Sequence, residues 1–153
     1  MAVKPIPDGY HSVTPYLILD DAARALEFYK KAFGAVELMR MQAPGGRIGH
    51  AEIRIGNSPI MLADENPQMN AKSARSFGGS SVSLMVYVDN VDAMVAQAVA
   101  AGGKLVRPVA DQFYGDRTGG VDDPFGYHWY IATHVEDVPP EELARRAAKA
   151  MAG

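Results

Sequence analysis

Cysteine is absent from this chain of 153 residues. That removes disulfides, thiolate metal ligands and a cysteine nucleophile, so any metal would be held by His, Asp, Glu, Tyr or water. Long apolar runs are missing too. None approaches the roughly 18 residues that a membrane helix needs, and Met1-Ala2-Val3-Lys4-Pro5 is too short and polar to begin a signal peptide. A cytoplasmic location and no membrane partner are therefore expected. There is no block of Lys or Arg and the net charge is −3, which argues against nucleic acid as a partner. No P-loop, dinucleotide fingerprint, G-x-S-x-G elbow or HExxH occurs, so nucleotide, hydrolase and zincin readings have no support. A chain that is 48% hydrophobic and 22% charged has the composition of one domain with a real core.

What is present is a plan used twice. In VTPYLILDD, residues 13 to 21, apolar and mixed positions alternate with period two, as in a strand. Ala22, Ala25, Leu26, Tyr29 and Phe33 then recur at helical spacing; Asp20 or Asp21 can cap the start and Gly34 the end. Strands are predicted at about 36–42, 47–55 and 58–63, joined by Pro44-Gly45-Gly46 and Gly56-Asn57 turns. The second half repeats this order: a strand over Ser81–Val88, a helix over residues 90–101 closed by Gly102-Gly103, and strands near 104–107, 116–122 and 127–133. The same interval separates Asp21 from Gly34 and Asp89 from Gly102. The expected fold class is therefore α+β, with two β-α-β-β-β modules at about 10–64 and 80–135 in one domain. Residues 65–80 read as a polar linker or lid loop, and residues 139–151 as a terminal helix with Pro at its start.

Each module should pack the apolar face of its sheet on its helix. The mixed face is left over, and it carries Thr14, Tyr16, His50, Glu52, Arg54, Met61, Ser83, Met85, Tyr87, His128 and Tyr130. Exposed sheet faces seldom collect so many Tyr and Met residues, so two such faces are expected to line a cup. His50 and Glu52 are two apart on one strand and point the same way, with Glu52, flanked by Arg54, able to orient His50. His50, Glu52 and His128 are the candidate acid–base groups. Arg117 is placed either on a ligand anion or in a pair with Asp116, Asp122 or Asp123. Asp123-Pro124-Phe125-Gly126 reads as a β-turn with Phe125 exposed at its tip, and Trp129 is assigned to the core. His11 and His134 are read as surface or tail residues flanking the strands.

PYLILDDAARALEFYKKAFGA, HAEIRIGNSPIMLADE, VSLMVYVDNVDAMVAQAVAAGGK and VDDPFGYHWYIATH, in this order, resemble the vicinal oxygen chelate superfamily. That group includes glyoxalase I, extradiol dioxygenases and bleomycin-resistance proteins. HAEI, YGDR and DPFG together resemble its PhnB-like branch. The resemblance implies two modules forming a curved sheet cup with helices outside, and a homodimer whose modules pair within a chain or between chains. It also implies that metal-dependent relatives take ligands from four positions, which fall here on Thr14, Met61, Ser83 and Tyr130. None is a His or a carboxylate, so no metal or other cofactor is expected, with a relocated divalent ion at His50, Glu52 and His128 as the alternative. The resulting expectation is a protein that binds an apolar or aromatic small molecule. The alternative is a glyoxalase-like lyase or isomerase that uses His and Glu or a relocated metal.

Overall fold

The computed structural model describes residues 2–153. Its elements run β1 (Tyr16–Leu19), α1 (Ala22–Phe33), β2 (Val36–Ala43), β3 (Arg47–Ile55), β4 (Ser58–Asp64), β5 (Leu84–Tyr87), α2 (Val91–Ala100), β6 (Lys104–Asp111), β7 (Asp116–Asp122), β8 (His128–His134) and α3 (Pro140–Ala152). They form two four-stranded sheets, ordered β1-β4-β3-β2 and β5-β8-β7-β6. In each sheet the first strand runs parallel to the last, and the other pairings are antiparallel. This is the α+β architecture expected from the repeat.

Local chemistry fixes the element ends. The Asp21 side chain accepts from the Arg24 N–H at 3.1 Å and Asn90 does the same for Ala93 at 3.0 Å, so α1 and α2 each begin on a side-chain cap. Gly34 closes α1 with a left-handed φ of 67°. The buried Asp64 carboxylate accepts from the backbone N–H groups of Ala22 and Ile48, at 2.8 and 2.7 Å, and so ties the start of α1 to the end of β4. The first strand of each sheet is shorter than the alternation predicts, because residues 13–15 and 81–83 lie outside the paired strands β1 and β5.

One continuous core joins the two sheets through α1 and α2. Leu17, Leu19, Ile53 and Leu62 pack on the helix side of the first sheet. From the second sheet, Trp129 meets α1 directly, 4.6 Å from the Phe33 ring and 5.3 Å from Tyr29 by centroids. Gln97 of α2 donates to the carbonyls of Lys31 and Ala32 at the end of α1. Phe125 is not exposed at its turn. It is buried against Phe28 and Tyr29, with the Arg24 guanidinium 5.7 Å above its ring. The turn folds inward because the Asp123 carboxylate collects the Phe125 and Tyr127 N–H groups at 2.8 and 2.9 Å.

Residues 65–80 are held down at several points. Glu65 accepts from the Ser73 N–H at 2.9 Å and from the Ser76 hydroxyl, and these bonds hold its carboxyl down at about 2. Arg75 donates to the Pro124 carbonyl at 2.8 Å. Gly115, between β6 and β7, is a position that only glycine fits. Its φ is +101°, and a Cβ there would lie 2.2 Å from the Glu136 carbonyl oxygen. Gly115→Ala is expected to cost ~2–4 kcal/mol from strain and overpacking combined, read as a lower urea midpoint at unchanged slope.

Candidate functional site

The polar face of the first sheet is built across three strands. Tyr16 of β1 and Glu52 of β3 both lie opposite Met61 of β4, so the three form one row. Above that row the Tyr16 hydroxyl stands 2.7 Å from His50 Nδ1, and His50 Nε2 stands 2.8 Å from Glu52 Oε2. A carboxylate only accepts, so Nε2 carries a proton. In the neutral imidazole Nδ1 is then the acceptor, and Tyr16 donates to it. Partial burial raises the Tyr16 phenol above its ordinary range, which keeps its proton in place for that bond. His50 is thus oriented by Glu52 and Tyr16; Arg54 is exposed on the same strand and takes no part in the bonds.

Tyr16 lines two cavities. One, of about 350 Å³, has Ile18 and Ala63 from the sheet, Pro44 from the β2–β3 turn, Arg47 from the start of β3, and Met69 from the loop after β4. Its size suits a single-ring molecule. The other is an open cleft of about 1110 Å³ between the unpaired outer edges of β1 and β5, bordered by Tyr16, Ser83, Met85 and Tyr87. Tyr16 and Tyr87 are 48% and 60% exposed, a large apolar area for one face of a domain to leave in water.

The second sheet carries its own clusters. His128 Nδ1 pairs with Asp122 at 2.7 Å, while its buried Nε2 has no partner. The ring packs edge-on against Tyr130, 4.4 Å by centroids, with the Arg107 guanidinium 5.9 Å from the Tyr130 ring. Gly120 leaves the space they need, since a Cβ there would come within 3.1 Å of the His128 ring and 3.2 Å of Arg107. Further along, the Tyr87 hydroxyl donates to Asp116 at 2.7 Å, and His134 bridges Asp116 and Asp137 with one ring nitrogen on each, both at 2.7 Å.

His134 is exposed, as the surface reading expects, but it is the last residue of β8 and part of a network rather than a residue of the tail beyond it. Its bonds to Asp116 and Asp137 raise its imidazole above the usual range. Burial alone would lift the Asp116 carboxyl, but the His134 and Tyr87 bonds outweigh it and hold that carboxyl low. Because the folded-state His134 value is the higher one, its stabilising effect is complete below its unfolded value, about 6.5, and is lost as pH rises through the folded value. His134→Gln is expected to flatten the fall in thermal midpoint over that window, read by circular dichroism against pH. An unchanged pH profile would contradict this coupling.

The sequence placed His50, Glu52 and His128 as one group of acid–base candidates, but they form two. His50 and Glu52 bond with Tyr16 on the first sheet and His128 with Asp122 on the second, and no hydrogen bond or ion pair joins the two clusters. Arg117 lies away from both. Its guanidinium is taken by Asp92 of α2 at 2.8 Å and by Asp111 at 3.1 Å, so it faces the helix side of its sheet and pairs with none of Asp116, Asp122 and Asp123. Met85 and Tyr130 are register partners, as are Tyr16 and Met61; Thr14 and Ser83 sit just before β1 and β5. The Tyr16–His50 bond and the Arg107 contact were not foreseen. Both join residues far apart in sequence, and the second depends on bulges in the β6–β7 pairing.

The four positions that the resemblance assigns to metal ligands do not offer a divalent ion its preferred donors. Thr14, Met61, Ser83 and Tyr130 offer two hydroxyls, a thioether and a phenol, none of them the imidazole or carboxylate that such an ion prefers. Among the described residues, no three His, Asp or Glu side chains form a group that could hold a metal ion.

Known proteins are similar to this chain in fold and in sequence. An uncharacterized Mycobacterium tuberculosis protein is 42% identical over 135 residues, covering 86% of this chain and 79% of that one. The crystal structure of TioX from Micromonospora sp. ML1 matches with a TM-score of 0.66 at 28% identity, covering 82% of this chain and 99% of the other. A PhnB protein from Bacillus cereus, at 18% identity and a TM-score of 0.62, shares the fold over 80% of this chain and 99% of its own. The model of the Glyoxalase/Bleomycin resistance protein/Dioxygenase superfamily matches residues 10–131. With the doubled β-α-β-β-β plan and a match over most of its length, the chain belongs to that superfamily.

Proposed function

We propose that this protein binds a flat, largely apolar small molecule on the sheet face that carries Tyr16, and does so without a metal. The observation that carries this reading is the pairing of a metal-poor donor set with an aromatic surface. The four positions that the resemblance assigns to metal ligands fall on Thr14, Met61, Ser83 and Tyr130, while Tyr16, Met85 and Tyr87 stand half-exposed beside the cavities. Tyrosine and methionine supply broad, polarizable contact to an aromatic ligand. The polar groups on this face, His50 and Glu52 near Tyr16 and His128 near Tyr130, would orient the guest. A lyase or isomerase is the second reading, favoured by the Tyr16–His50–Glu52 chain of bonds.

A homodimer goes with the binding reading. The outer edges of β1 and β5 are unpaired, and Val13 and Val82 beside them are 84% and 67% exposed. A second copy would cover these edges and complete the cup. Light scattering at micromolar concentration should give twice the chain mass; a monomer would contradict this part of the proposal.

Binding is tested by thermal unfolding with a panel of planar aromatic compounds, with and without EDTA. A true ligand at a hundred times its Kd adds about 2.7 kcal/mol, or roughly 5–10 °C in midpoint. The shift should survive EDTA and shrink in Tyr87→Ala. A shift that needs added divalent ion would overturn the metal-free reading.

A further inference from the structure

At the exposed end of the Tyr16–His50–Glu52 chain only one kind of hydrogen-bonding capacity is left. Glu52 holds the His50 Nε2 proton, and His50 Nδ1 holds the Tyr16 proton. Tyr16 lines the 350 Å³ cavity, and what its hydroxyl still offers a guest is lone pairs. A guest with a carbonyl or ether oxygen would meet an acceptor with an acceptor. A guest with an O–H would be complemented.

We infer that Tyr16 selects ligands bearing a weakly acidic hydroxyl, a phenol or an enol, and that the Tyr16–His50–Glu52 chain takes up the proton of that hydroxyl. This deepens the binding reading and rests on it. The step balances within the site. The ligand O–H bond breaks and its proton passes to the Tyr16 oxygen, while the Tyr16 proton moves to His50 Nδ1. The products are a ligand oxyanion, a neutral Tyr16 now donating to that oxyanion, and an imidazolium beside the Glu52 carboxylate. No redox partner is needed. The arrangement of hydroxyl, imidazole and carboxylate is the one by which hydrolases activate a serine, here with a phenol in the hydroxyl place. Tyr16 touches the ligand; Glu52 acts through His50 and is a positioning residue.

The probe is 4-nitrophenol, whose ionised form absorbs in the visible, with 4-nitroanisole, its methyl ether, as the counterpart lacking the O–H. Affinity is measured by equilibrium dialysis of the intact protein, and ionisation by absorbance, at a pH where free 4-nitrophenol is mostly neutral. The expected result is binding of 4-nitrophenol about tenfold to a hundredfold tighter than 4-nitroanisole, with bound probe ionised. Tyr16→Phe should remove both the preference and the ionisation. Glu52→Gln should keep most of the binding, because its amide oxygen still accepts from His50, yet lose ionisation; a merely structural role would not separate the two. Circular dichroism checks that both variants fold. Equal affinity for the two probes, or ionisation that persists in Tyr16→Phe, would overturn this inference and leave the binding proposal standing. Failure of both probes to bind would also overturn it, while the aromatic panel judges the binding proposal separately.

Discussion

Asp123→Ala is expected to lower stability by ~3–5 kcal/mol, one of the two largest single-residue effects in the protein. The Asp123 carboxylate is buried and accepts four hydrogen bonds: from the Tyr29 hydroxyl at 2.6 Å, the Trp129 indole N–H at 2.9 Å, and the backbone N–H groups of Phe125 and Tyr127. Removing it leaves four buried donors unmet, and each unmet donor costs about 1–3 kcal/mol before relaxation or water entry. The sum is expected to be less than additive, since a water can enter the vacated space. Asp123→Asn separates shape from chemistry. Its amide oxygen can still serve the two backbone groups, but its NH₂ would face the Trp129 N–H, donor against donor. It should recover less than half of the loss. Guanidinium unfolding followed by Trp129 fluorescence measures both.

Trp129→Ala is expected to cost a similar ~3–5 kcal/mol for a different reason. Trp129 is fully buried, and its ring fills the space between β8 and α1 against Phe33 and Tyr29. Truncation leaves a cavity where the second sheet meets the helix of the first module. Because Trp129 also donates to Asp123, the double variant should lose clearly less than the sum of the singles, with a coupling of about 1 kcal/mol or more. Additive losses would mean that the indole hydrogen bond contributes little. Circular dichroism would serve as the probe, since the only tryptophan is gone.

How far the sequence could be read depends on what each feature rests on. The strands at 36–43, 47–55, 58–64 and 116–122 lie within a residue of the sequence expectation, because period-two alternation and glycine turns are local signals. The repeat set the order of elements along the chain, and Trp129 was assigned inward from the alternation along its strand. Phe125 was misplaced because turn chemistry says where the chain bends, not what the bend packs against. The Asp123 carboxylate that gathers the turn also accepts from Tyr29, at 94 residues' separation, and no local signal shows that partner. Arg117 was assigned either to a ligand anion or to acids near it in sequence. Asp92, its main partner, lies on α2 and is brought close only by packing of α2 on β7. The site was half legible. His50 and Glu52 were paired by their spacing on one strand, but Tyr16 reaches His50 across β4, which depends on sheet order rather than on any motif.

Binding of a guest in this cup is proposed to need no metal. The most direct test is the metal content of the protein, purified without a histidine tag, by inductively coupled plasma mass spectrometry, followed by thermal unfolding with added Ni²⁺, Zn²⁺, Mn²⁺ and Fe²⁺. The donor set at Thr14, Met61, Ser83 and Tyr130 predicts well under one ion per chain and no stabilisation by any of the four. Near-stoichiometric metal, or a rise of several degrees with one ion, would contradict the account and return His50, Glu52 and His128 to consideration as ligands.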